Sequence, residues 1–323
     1  MASILRPAGV RSGHTVAIAA MSNGRDPDEA ALFEQGVATI ESLGFRVQVS
    51  PLAEPGHAYW WSVAAPDETA AELNRLLRDP EVRAIFALDG GQWVLSYLDL
   101  LDLDAIRADP KPIVGSSDIS GLLLALHARV GLVGIHGGAV VRQLAEFADL
   151  DPDRRSQLAD TYRRVLAGDA PVQLPATDAW EQWRGGRAEG PLIGAMLNRI
   201  LRLQASGFAL EPERFDGAIL FWEEAWTQSS RIWQELHVLR TAGILDRIGG
   251  MVVGAGLDLA FVEGGPDNLR DLVLDVLGDR DIPVIGNVEL GHTGPNLPMP
   301  LGVRATLDAD GPTLTLLEAA VSP

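Results

Sequence analysis

The sequence predicts an α/β fold in two domains, and three observations support this prediction. In the first half of the chain, short apolar runs alternate with helical patterns, which is typical of a parallel sheet covered by helices on both faces. A segment from about 150 to 190, rich in Asp, Arg, Pro and Gly, separates this half from a second group of strands and helices. The chain has 323 residues, 47% of them hydrophobic, which is enough to bury a large core.

The elements of the first half are bounded by typical helix and turn signals. Pro66 opens one helix, and Gly44 ends another. Two of the strands end directly in polar, glycine-containing turns, Asp89-Gly90-Gly91 and Gly115-Ser116-Ser117-Asp118. The predicted strands are 15–20, 45–49, 83–88 and 112–114, and the predicted helices are 28–43, 67–77 and 119–130.

The second half is predicted to contain two helices, three strands and a hairpin. The helices are 192–204 and 229–242, the strands are 218–222, 251–253 and 283–285, and the hairpin covers 303–317 with its turn at 308–311. We therefore divide the chain into an N-terminal domain (1–165), a linker with a tryptophan loop (166–190) and a C-terminal domain (191–323).

Charge and composition exclude several classes of function. The formal net charge is -18, and a surface of this sign repels nucleic-acid phosphates and anionic membranes, so neither is an expected partner. The absence of cysteine excludes disulfides, thiol catalysis and cysteine-ligated metals. Because the sequence shows neither a signal-peptide pattern nor a run of ~18 apolar residues, we expect a cytoplasmic location.

The turn at Ser117 is the first candidate for chemistry. A serine between a strand and a helix lies at the carboxyl end of a parallel strand, where open α/β sheets bind ligands. The free N–H groups of the helix N-terminus could stabilise the oxyanion of an acyl-transfer intermediate. The alternative is that Ser117 or Asp118 only caps the helix. The turn at Gly90-Gly91 could supply a second oxyanion donor, or it could be a simple turn that needs glycine.

A pair of acids and a histidine follow two later strands. Glu223 and Glu224 end an apolar strand, where one of them could orient a histidine; the alternative is two solvated charges. His292 lies in a loop between Gly291 and Gly294. It could act there as a general base, or it could be a capping or surface residue.

Neither a metal nor an organic cofactor is expected. The six histidines show no His-x-x-x-His spacing of the kind that binds zinc on a helix. The chain has no phosphate-binding P-loop, and Gly254-Ala255-Gly256 lacks the third glycine of a dinucleotide-binding loop.

Taken in order along nearly the whole chain, these segments resemble the LD-carboxypeptidase family, the S66 serine peptidases, and within it the microcin C self-immunity peptidases. The matching segments are Ser12–Val16 (SGHTV), Asp79–Phe86 (DPEVRAIF), Gly90-Gly91, Gly115–Ser120 (GSSDIS), Gly131–Val133 with His136-Gly137, Leu220–Glu224 (LFWEE), and Gly291–Thr293 with Pro300–Gly302. Several ordered motifs at compatible spacings are a stronger signal than any one of them alone.

The resemblance implies a catalytic triad and an oxyanion hole. Ser117 would be the nucleophile, His292 the base that relays its proton, and Glu223 the acid that orients His292. The backbone N–H groups of Gly91 and Asp118 would form the oxyanion hole. The family fold implies a parallel-sheet N-terminal domain with the serine and a smaller C-terminal α/β domain, with a mixed sheet, that carries the other two. The resemblance also implies a homodimeric enzyme, with the site in the cleft between the domains and without metal or cofactor.

The expected substrate contacts are Gly90, Gln92, Trp180 and Trp183. Immunity-type relatives cleave aminoacyl or peptidyl nucleotides and stack the base on tryptophan, which favours a small peptide-like or aminoacyl-nucleotide amide as substrate. Trp180 and Trp183 could equally be packing residues of a long loop. The alternatives are removal of terminal D-alanine from muropeptides, hydrolysis of another amide or ester of small-molecule metabolism, and an inactive binding module.

The chain departs from the family pattern close to the expected pocket. Ser116 stands where the family has an aromatic residue before the nucleophile, and Gln92-Trp93 follows the paired glycines. Gly138 replaces a proline, and Gly194-Ala195-Met196 stands where the family often has Gly-Gly-Asn. These departures concern the choice of substrate, because all three triad positions are filled.

Overall fold

In the computed structural model, which describes residues 3–322, the chain folds around two β-sheets, one of six strands and one of eight. The strands are β1 (Thr15–Ala19), β2 (Arg46–Val49), β3 (Val82–Ala87), β4 (Ile113–Gly115), β5 (Ile135–His136), β6 (Val172–Gln173), β7 (Glu181–Arg184), β8 (Arg187–Met196), β9 (Ile219–Glu223), β10 (Gly250–Gly254), β11 (Val284–Val288), β12 (Met299–Pro300), β13 (Arg304–Asp308) and β14 (Thr313–Leu316). The helices are α1 (Ala30–Ser42), α2 (Pro66–Arg78), α3 (Leu103–Ala108), α4 (Ile119–Val130), α5 (Pro152–Ala167), α6 (Leu197–Gln204), α7 (Ser229–Thr241) and α8 (Leu269–Leu277).

The N-terminal sheet has the strand order β12-β5-β4-β3-β1-β2. Strands β1 to β5 are parallel, as predicted, whereas β12 comes from the C-terminal part of the chain and pairs antiparallel to β5. Because β3 and β4 are neighbours, the turns that follow them leave the same edge of the sheet side by side. This edge therefore brings Gly90 and Gly91 next to Ser117.

The C-terminal sheet is mixed, with the order β6-β14-β13-β8-β9-β10-β11-β7. Strands β8 to β11 are parallel to one another, and the hairpin of β13 and β14 extends the sheet antiparallel on one side. The end of β9 carries Glu223, and the loop after β11 carries His292. Both lie at the carboxyl edge of the parallel strands, with only β10 between them.

Helix α4 lies at the boundary between the two domains. Its residues from Ile119 to His127 are all buried. The helix packs against β4 and β5 on one side and against β8 and α6 on the other. A helix that is apolar around its whole circumference is expected where protein surrounds it.

In the part of the chain that the structure describes, no helix has the length and apolar character that a membrane span requires.

The segment predicted as a linker, 166–190, belongs to the C-terminal sheet instead. Strands β6 and β7 form the two edges of this sheet, and β7 pairs antiparallel with β11. Immediately before it, α5 begins at Pro152, and the Asp151 side chain accepts a hydrogen bond from the Arg154 N–H at 2.9 Å. The polar composition of this region therefore reflects a capped surface helix and sheet edges rather than a connection without structure.

The helix predicted at 192–204 begins only at Leu197. The residues before it form β8, which pairs with β13 on one side and with β9 on the other. A short apolar run such as Leu192–Met196 does not distinguish a buried strand from a helix. Gly194 also permits the close approach of β9, because a Cβ at this position would lie 1.9 Å from the carbonyl oxygen of Phe221.

Buried histidine makes the stability of the fold depend on pH. Burial, the largest influence on His127, lowers the pKa of its imidazole from 6.5 to about 4, and the contact of Nδ1 with the Leu132 carbonyl opposes this only in part. Below about pH 6.5 the unfolded chain binds a proton on this side chain that the folded chain does not accept until about pH 4. The stabilisation is therefore complete at pH 7 and is lost as the pH falls.

We expect the stability advantage of the wild type over His127→Gln to shrink by about 2 kcal/mol between pH 7 and pH 5. Urea unfolding of both proteins at the two pH values measures this difference. The same substitution at the exposed His57 controls for the loss of an imidazole from the surface. An advantage that stays constant with pH would show that His127 is protonated in the folded protein.

Candidate active site

Ser117 lies in a strained turn between β4 and α4. Its φ is +55°, in the left-handed region that residues other than glycine rarely adopt. The turn is held by the Ile119 N–H, which donates to the Ser116 carbonyl at 3.0 Å, and by the Ser120 N–H, which donates to the Ser117 carbonyl at 3.1 Å. Strain of this kind persists where the surrounding structure fixes it, and it is concentrated at functional sites. The turn thus exposes the serine hydroxyl at the start of α4.

Two glycines after β3 make room for this turn. A Cβ at Gly90 would lie 2.6 Å from Ser117 Cβ and 2.7 Å from its Oγ, so only glycine fits against the serine. Gly91 has a φ of +144°, and a Cβ there would lie 2.3 Å from Ser22 Oγ. The paired glycines therefore allow backbone to approach the serine more closely than any side chain could.

The predicted oxyanion donors, Gly91 and Asp118, lie on the two turns that meet at Ser117. Within residues 3–322, neither backbone N–H donates a hydrogen bond to another protein group. Free N–H groups beside a serine hydroxyl are what an oxyanion hole requires. Their arrangement is compatible with the role that the sequence assigned to them.

The Glu223 carboxylate holds His292 in place. Glu223 Oε2 lies 2.8 Å from His292 Nδ1 and 3.4 Å from the His292 backbone N–H, and the glutamate is fully buried. Because Nδ1 faces the carboxylate, it carries the proton, which leaves Nε2 free as the basic nitrogen. The loop is fixed by the Gly291 N–H, which donates to Asn296 Oδ1 at 3.0 Å.

Glycine is also required on both sides of the Glu223 carboxyl group. A Cβ at Gly291, whose φ is +89°, would lie 2.3 Å from Glu223 Cδ. At Gly254, at the end of β10, a Cβ would lie 2.7 Å from Glu223 Cβ and 2.9 Å from the Leu290 carbonyl oxygen. The loop after β11 can therefore cross the end of β10 and reach Glu223 only because both positions lack side chains.

Opposing influences set the basicity of His292. Burial is the largest single influence and lowers the pKa of the imidazole, but the charge and the hydrogen bond of Glu223, together with the charge of Glu224, outweigh it. The pKa of His292 is therefore raised above 6.5. A base with this pKa is well matched to proton transfer near neutral pH.

A buried ion pair connects the serine turn to the C-terminal domain. Arg199 Nε on α6 lies 2.8 Å from Asp118 Oδ1, and Arg199 Nη2 donates to the Gly91 carbonyl at 2.8 Å. The other oxygen of Asp118 accepts hydrogen bonds from Ser22 Oγ at 2.7 Å and from the Val94 N–H at 3.0 Å. The aspartate thus fixes both turns that carry the candidate oxyanion donors.

Glu224 lines the same site, and the pKa of its carboxyl group is also shifted. Burial raises the pKa of its carboxyl group to about 7; the Asn198 N–H, which donates to it at 2.8 Å, opposes the shift, and the charges of Glu235 and Glu223 add to it. This group therefore changes its charge close to neutral pH, next to Glu223.

Ser117, His292, Arg199 and Glu224 line one cavity between the two domains. Its volume is about 670 Å³, which is ample for a small peptide-like ligand. The cavity brings together Ser117, His292 and two of the four predicted substrate contacts, Gly90 and Gln92, with the predicted oxyanion donor Gly91 beside them. The lining from the C-terminal domain also includes Met196, Asn198, Arg199, Arg202, Glu224 and Trp226.

The structure places Trp180 and Trp183 away from this cavity. Both are buried in the C-terminal sheet; the Trp180 Nε1–H donates to Glu289 Oε2 at 3.2 Å, and the Trp183 Nε1–H donates to Glu181 Oε2 at 3.1 Å. Trp183 covers Gly286 of β11, where a Cβ would lie 1.9 Å from the indole ring. The structure therefore supports the alternative that both tryptophans are packing residues, because their rings fill the space above the sheet edge.

Sequence reasoning missed Arg199 and Trp226. Trp226 is 64% exposed, has a φ of +49°, and lies edge-on to the His292 ring with centroids 4.9 Å apart. Its indole N–H donates to Asp258 Oδ2 at 3.2 Å. A large aromatic residue two positions after the pair of acids was an available signal for Trp226. Arg199 gave none, because an arginine on an amphipathic helix is usually a solvated charge.

Comparisons with known proteins identify the family that this chain resembles along both of its domains. Residues 16–137 match the family model of the LD-carboxypeptidase N-terminal domain, and residues 189–307 match that of the LD-carboxypeptidase C-terminal domain. A putative carboxypeptidase of Streptomyces coelicolor is 32% identical over 98% of this chain and 97% of its own length. The microcin C7 self-immunity protein MccF of Escherichia coli is 27% identical over 90% of this chain and 89% of its own length.

Two further proteins are similar over almost the full length. A probable murein peptide carboxypeptidase of Bacillus subtilis is 26% identical, covering 98% of this chain and 95% of the relative. A solved structure of MccF in complex with glutamyl sulfamoyl guanosine superimposes with a TM-score of 0.88 at 23% identity, covering 98% of this chain and all of that one. This structural likeness shows that the two proteins share a two-domain α/β fold.

We expect Gly90→Ala to reduce the reactivity of Ser117 by at least about 100-fold, because the added Cβ would overlap the serine side chain. The rate of covalent labelling by a fluorophosphonate measures this without knowledge of the substrate. Gly207→Ala is the matched control, since a Cβ there meets no atom within 4 Å. Labelling of Gly90→Ala at the wild-type rate would contradict the close contact.

We expect Glu223→Gln to lower both the pKa of His292 and the labelling rate, the latter by about 10³-fold or more, because the carboxylate orients the ring and stabilises its charged form. Since the neutral imidazole is the base, the acidic limb of the rate profile should move to lower pH. NMR titration of the imidazole, assigned with His292→Gln, follows the pKa directly, and Glu81→Gln is an exposed control. A pKa of His292 that does not fall would contradict the assigned role of Glu223.

Proposed function

Because this chain belongs to the LD-carboxypeptidase family, the S66 serine peptidases, we propose that it hydrolyses an amide bond of a small peptide-like substrate held between its two domains. The observation that carries the proposal is the pairing of Glu223 with His292, at 2.8 Å, on the same cavity as the strained Ser117. A buried acid, a histidine of raised pKa and an exposed serine hydroxyl are the groups that acyl transfer needs.

In the acylation step, Ser117 Oγ attacks the scissile carbonyl carbon while His292 Nε2 accepts the hydroxyl proton. The positive charge that forms on the imidazole is stabilised by the Glu223 carboxylate. The carbonyl oxygen becomes an oxyanion and accepts hydrogen bonds from the N–H groups of Gly91 and Asp118. The intermediate collapses when His292 donates its proton to the leaving nitrogen, which breaks the C–N bond and leaves an acyl-serine.

In the deacylation step, a water molecule takes the place of the departed amine. His292 removes a proton from this water, and the oxygen adds to the acyl carbon. The second tetrahedral intermediate uses the same two N–H donors, and it collapses when His292 returns the proton to Ser117 Oγ. The products are a carboxylic acid and an amine, and the resting enzyme is restored without any redox change.

An aminoacyl nucleotide is the first candidate for the substrate class. Similarity to MccF, a protein solved with glutamyl sulfamoyl guanosine, supports it. Stacking on Trp180 or Trp183 would require a rearrangement, because both rings are buried. Trp226 offers an exposed indole face beside His292 instead, and base–aromatic stacking is worth roughly 1–3 kcal/mol.

A muropeptide that ends in D-alanine is the second candidate. Four arginines line the cavity; three are paired with acids, and within residues 3–322 the fourth, Arg202, forms no ion pair, which favours a substrate that carries a carboxylate. Similarity to a murein peptide carboxypeptidase supports the same class. The arginines are Arg142, Arg199, Arg202 and Arg231.

Hydrolysis of an aminoacyl-sulfamoyl adenosine and of a muramyl tetrapeptide with terminal D-alanine, by wild type and by Ser117→Ala, tests the proposal. We expect the wild type to cleave one of the two, and Ser117→Ala to lose at least about 10³-fold in rate because the nucleophile is absent. Chromatography with mass detection identifies the bond that is cut. Ser156→Ala, at an exposed position on α5, controls for loss of a helical serine hydroxyl away from the site.

The outcomes separate the candidate functions. Turnover of the nucleotide alone favours the immunity-type activity, and turnover of the tetrapeptide alone favours peptidoglycan recycling. Turnover that Ser117→Ala retains would overturn the mechanism. Binding of a substrate by both proteins without turnover of any amide or ester would favour a binding module on an inactive scaffold.

A further inference from the structure

Glu223 shares its surroundings with two other polar side chains, His136 and Asn296, and none of the three is more than 1% exposed. Oε2 of Glu223 is bonded to the ring and the backbone N–H of His292. Within residues 3–322, its Oε1, Nδ2 of Asn296 and both ring nitrogens of His136 make no hydrogen bond. Because buried polar atoms are almost always hydrogen-bonded, these atoms require a partner that the protein itself does not supply.

The strand pairing places His136 at the boundary between the two sheets. His136 ends β5, opposite Gly115 of β4, the strand that leads into the serine turn. Its ring packs edge-on against Phe221 of β9, with centroids 5.5 Å apart. Phe221 and Glu223 are two residues apart on β9, so their side chains point to the same face of the strand. His136 therefore lies on the side of β9 toward which the Glu223 side chain points.

The charges of Glu223 and His292 both act on His136. Burial, the largest influence, lowers the pKa of the His136 imidazole from 6.5 to about 4; the charge of Glu223 raises it, and that of His292 lowers it further. Charges influence one another in this way only when they are near. At neutral pH the His136 ring is therefore uncharged, with one nitrogen that donates a hydrogen bond and one that accepts.

Asn296 reaches the same region from the loop after β11. Its Oδ1 accepts the Gly291 N–H at 3.0 Å, and a Cβ at Gly291 would lie 2.5 Å from Glu223 Oε2. Its backbone carbonyl accepts the Tyr162 hydroxyl at 2.7 Å, and the same hydroxyl oxygen accepts the Gly138 N–H at 2.8 Å. Asn296 is thus held between the glycine that lies against Glu223 and the segment that follows β5.

The unpaired atoms of these three side chains are complementary to a water molecule. Glu223 Oε1 and one ring nitrogen of His136 accept hydrogen bonds, whereas the other ring nitrogen and Asn296 Nδ2 donate them. Water has two donor hydrogens and two lone pairs, and a buried water typically makes about three hydrogen bonds. A cation in this place would face the N–H donors and would cancel the negative charge that stabilises the His292 imidazolium, so a neutral molecule fits better.

We propose that an ordered water molecule joins Glu223 Oε1 to His136 and Asn296, which makes His136 a positioning residue for the proposed acid. The inference rests on the proposed hydrolysis and adds a second set of hydrogen bonds to the carboxylate that orients His292. With Oε1 held from this side, the carboxyl group is kept from rotating, and Oε2 stays directed at His292 Nδ1. Because His136 is uncharged, it holds the carboxylate without competing with the imidazolium for its charge.

Substitution of His136 tests the positioning role. His136→Phe keeps a ring against Phe221 and removes both nitrogens, whereas His136→Asn and His136→Gln each place an amide near one of them. We expect the rate at which a fluorophosphonate labels Ser117 to fall about tenfold or more in His136→Phe, and one of the two amide variants to recover most of this loss. His127→Gln, which removes a buried imidazole that contacts Leu132, is the matched control and should label at the wild-type rate.

A double-mutant cycle distinguishes positioning of Glu223 from a general effect on packing. In the Glu223→Gln background, His136→Phe should cost less than about threefold, because the carboxylate that it supports is already absent. Equal losses in both backgrounds would overturn the proposal. The low-field ¹H NMR resonance of the His292 Nδ1–H gives a readout apart from activity. It should shift in His136→Phe and stay in place in His127→Gln; an unchanged resonance in His136→Phe would also count against positioning.

The water site is tested in the wild-type protein, independently of how the variants fold. A crystal structure should show an ordered water molecule within about 3.2 Å of Glu223 Oε1 and of a ring nitrogen of His136. Absence of this water, or a direct hydrogen bond between Oε1 and His136, would overturn the proposal. Failure of the proposed hydrolysis is a separate outcome, since it would appear as wild-type protein that a fluorophosphonate does not label at Ser117.

Discussion

A buried ion pair between Asp118 and Arg199 joins the two domains directly beside Ser117, the proposed nucleophile. Replacing one partner alone would leave a charge without compensation, which is far more costly than loss of an exposed pair. The pair also explains why the two turns of the N-terminal domain keep a fixed distance: Asp118 accepts the Val94 N–H after the glycine turn, and Arg199 holds the carbonyl of Gly91. The geometry of the proposed oxyanion hole thus depends on a residue of the C-terminal domain.

Glu223 and His292, the proposed acid and base, are positioned by glycines, whose missing side chains leave room for the loop after β11. Glu223 is fully buried, and an ionised carboxylate there needs close polar partners. The loop that carries His292 supplies them, but it can approach only because Gly254 and Gly291 have no side chains. The same close approach raises the pKa of His292, since the imidazolium form gains the nearby negative charge. The close approach of the His292 loop to Glu223 therefore determines both the packing around the carboxylate and the proton affinity of the imidazole.

The cavity separates a fixed catalytic side from a variable recognition side. The fixed side consists of turns and strand ends whose glycines admit no substitution without overlap. The recognition side is formed by long side chains, such as Arg202 and the exposed indole of Trp226, that other residues could replace without moving the backbone. This division is physically reasonable for a family whose members carry names that refer to different substrates, because the chemistry can stay constant while the walls change.

The sequence by itself determined the features that depend on neighbouring residues. Alternating apolar runs gave the parallel N-terminal sheet, and the serine turn, the paired glycines and the Gly-flanked His292 were recognisable because each is a short motif at the end of a strand. Only the tertiary structure decided the rest. In the sequence, Arg199 cannot be distinguished from a surface arginine, and Trp183 cannot be distinguished from any loop tryptophan. Their roles follow from burial against partners that are distant along the chain. Arg199 pairs with Asp118, and Trp183 covers Gly286. The segment predicted as a linker forms the two edge strands β6 and β7 for the same reason. β7 pairs with β11 and β6 pairs with β14, and local composition does not encode such pairing between segments that are distant along the chain.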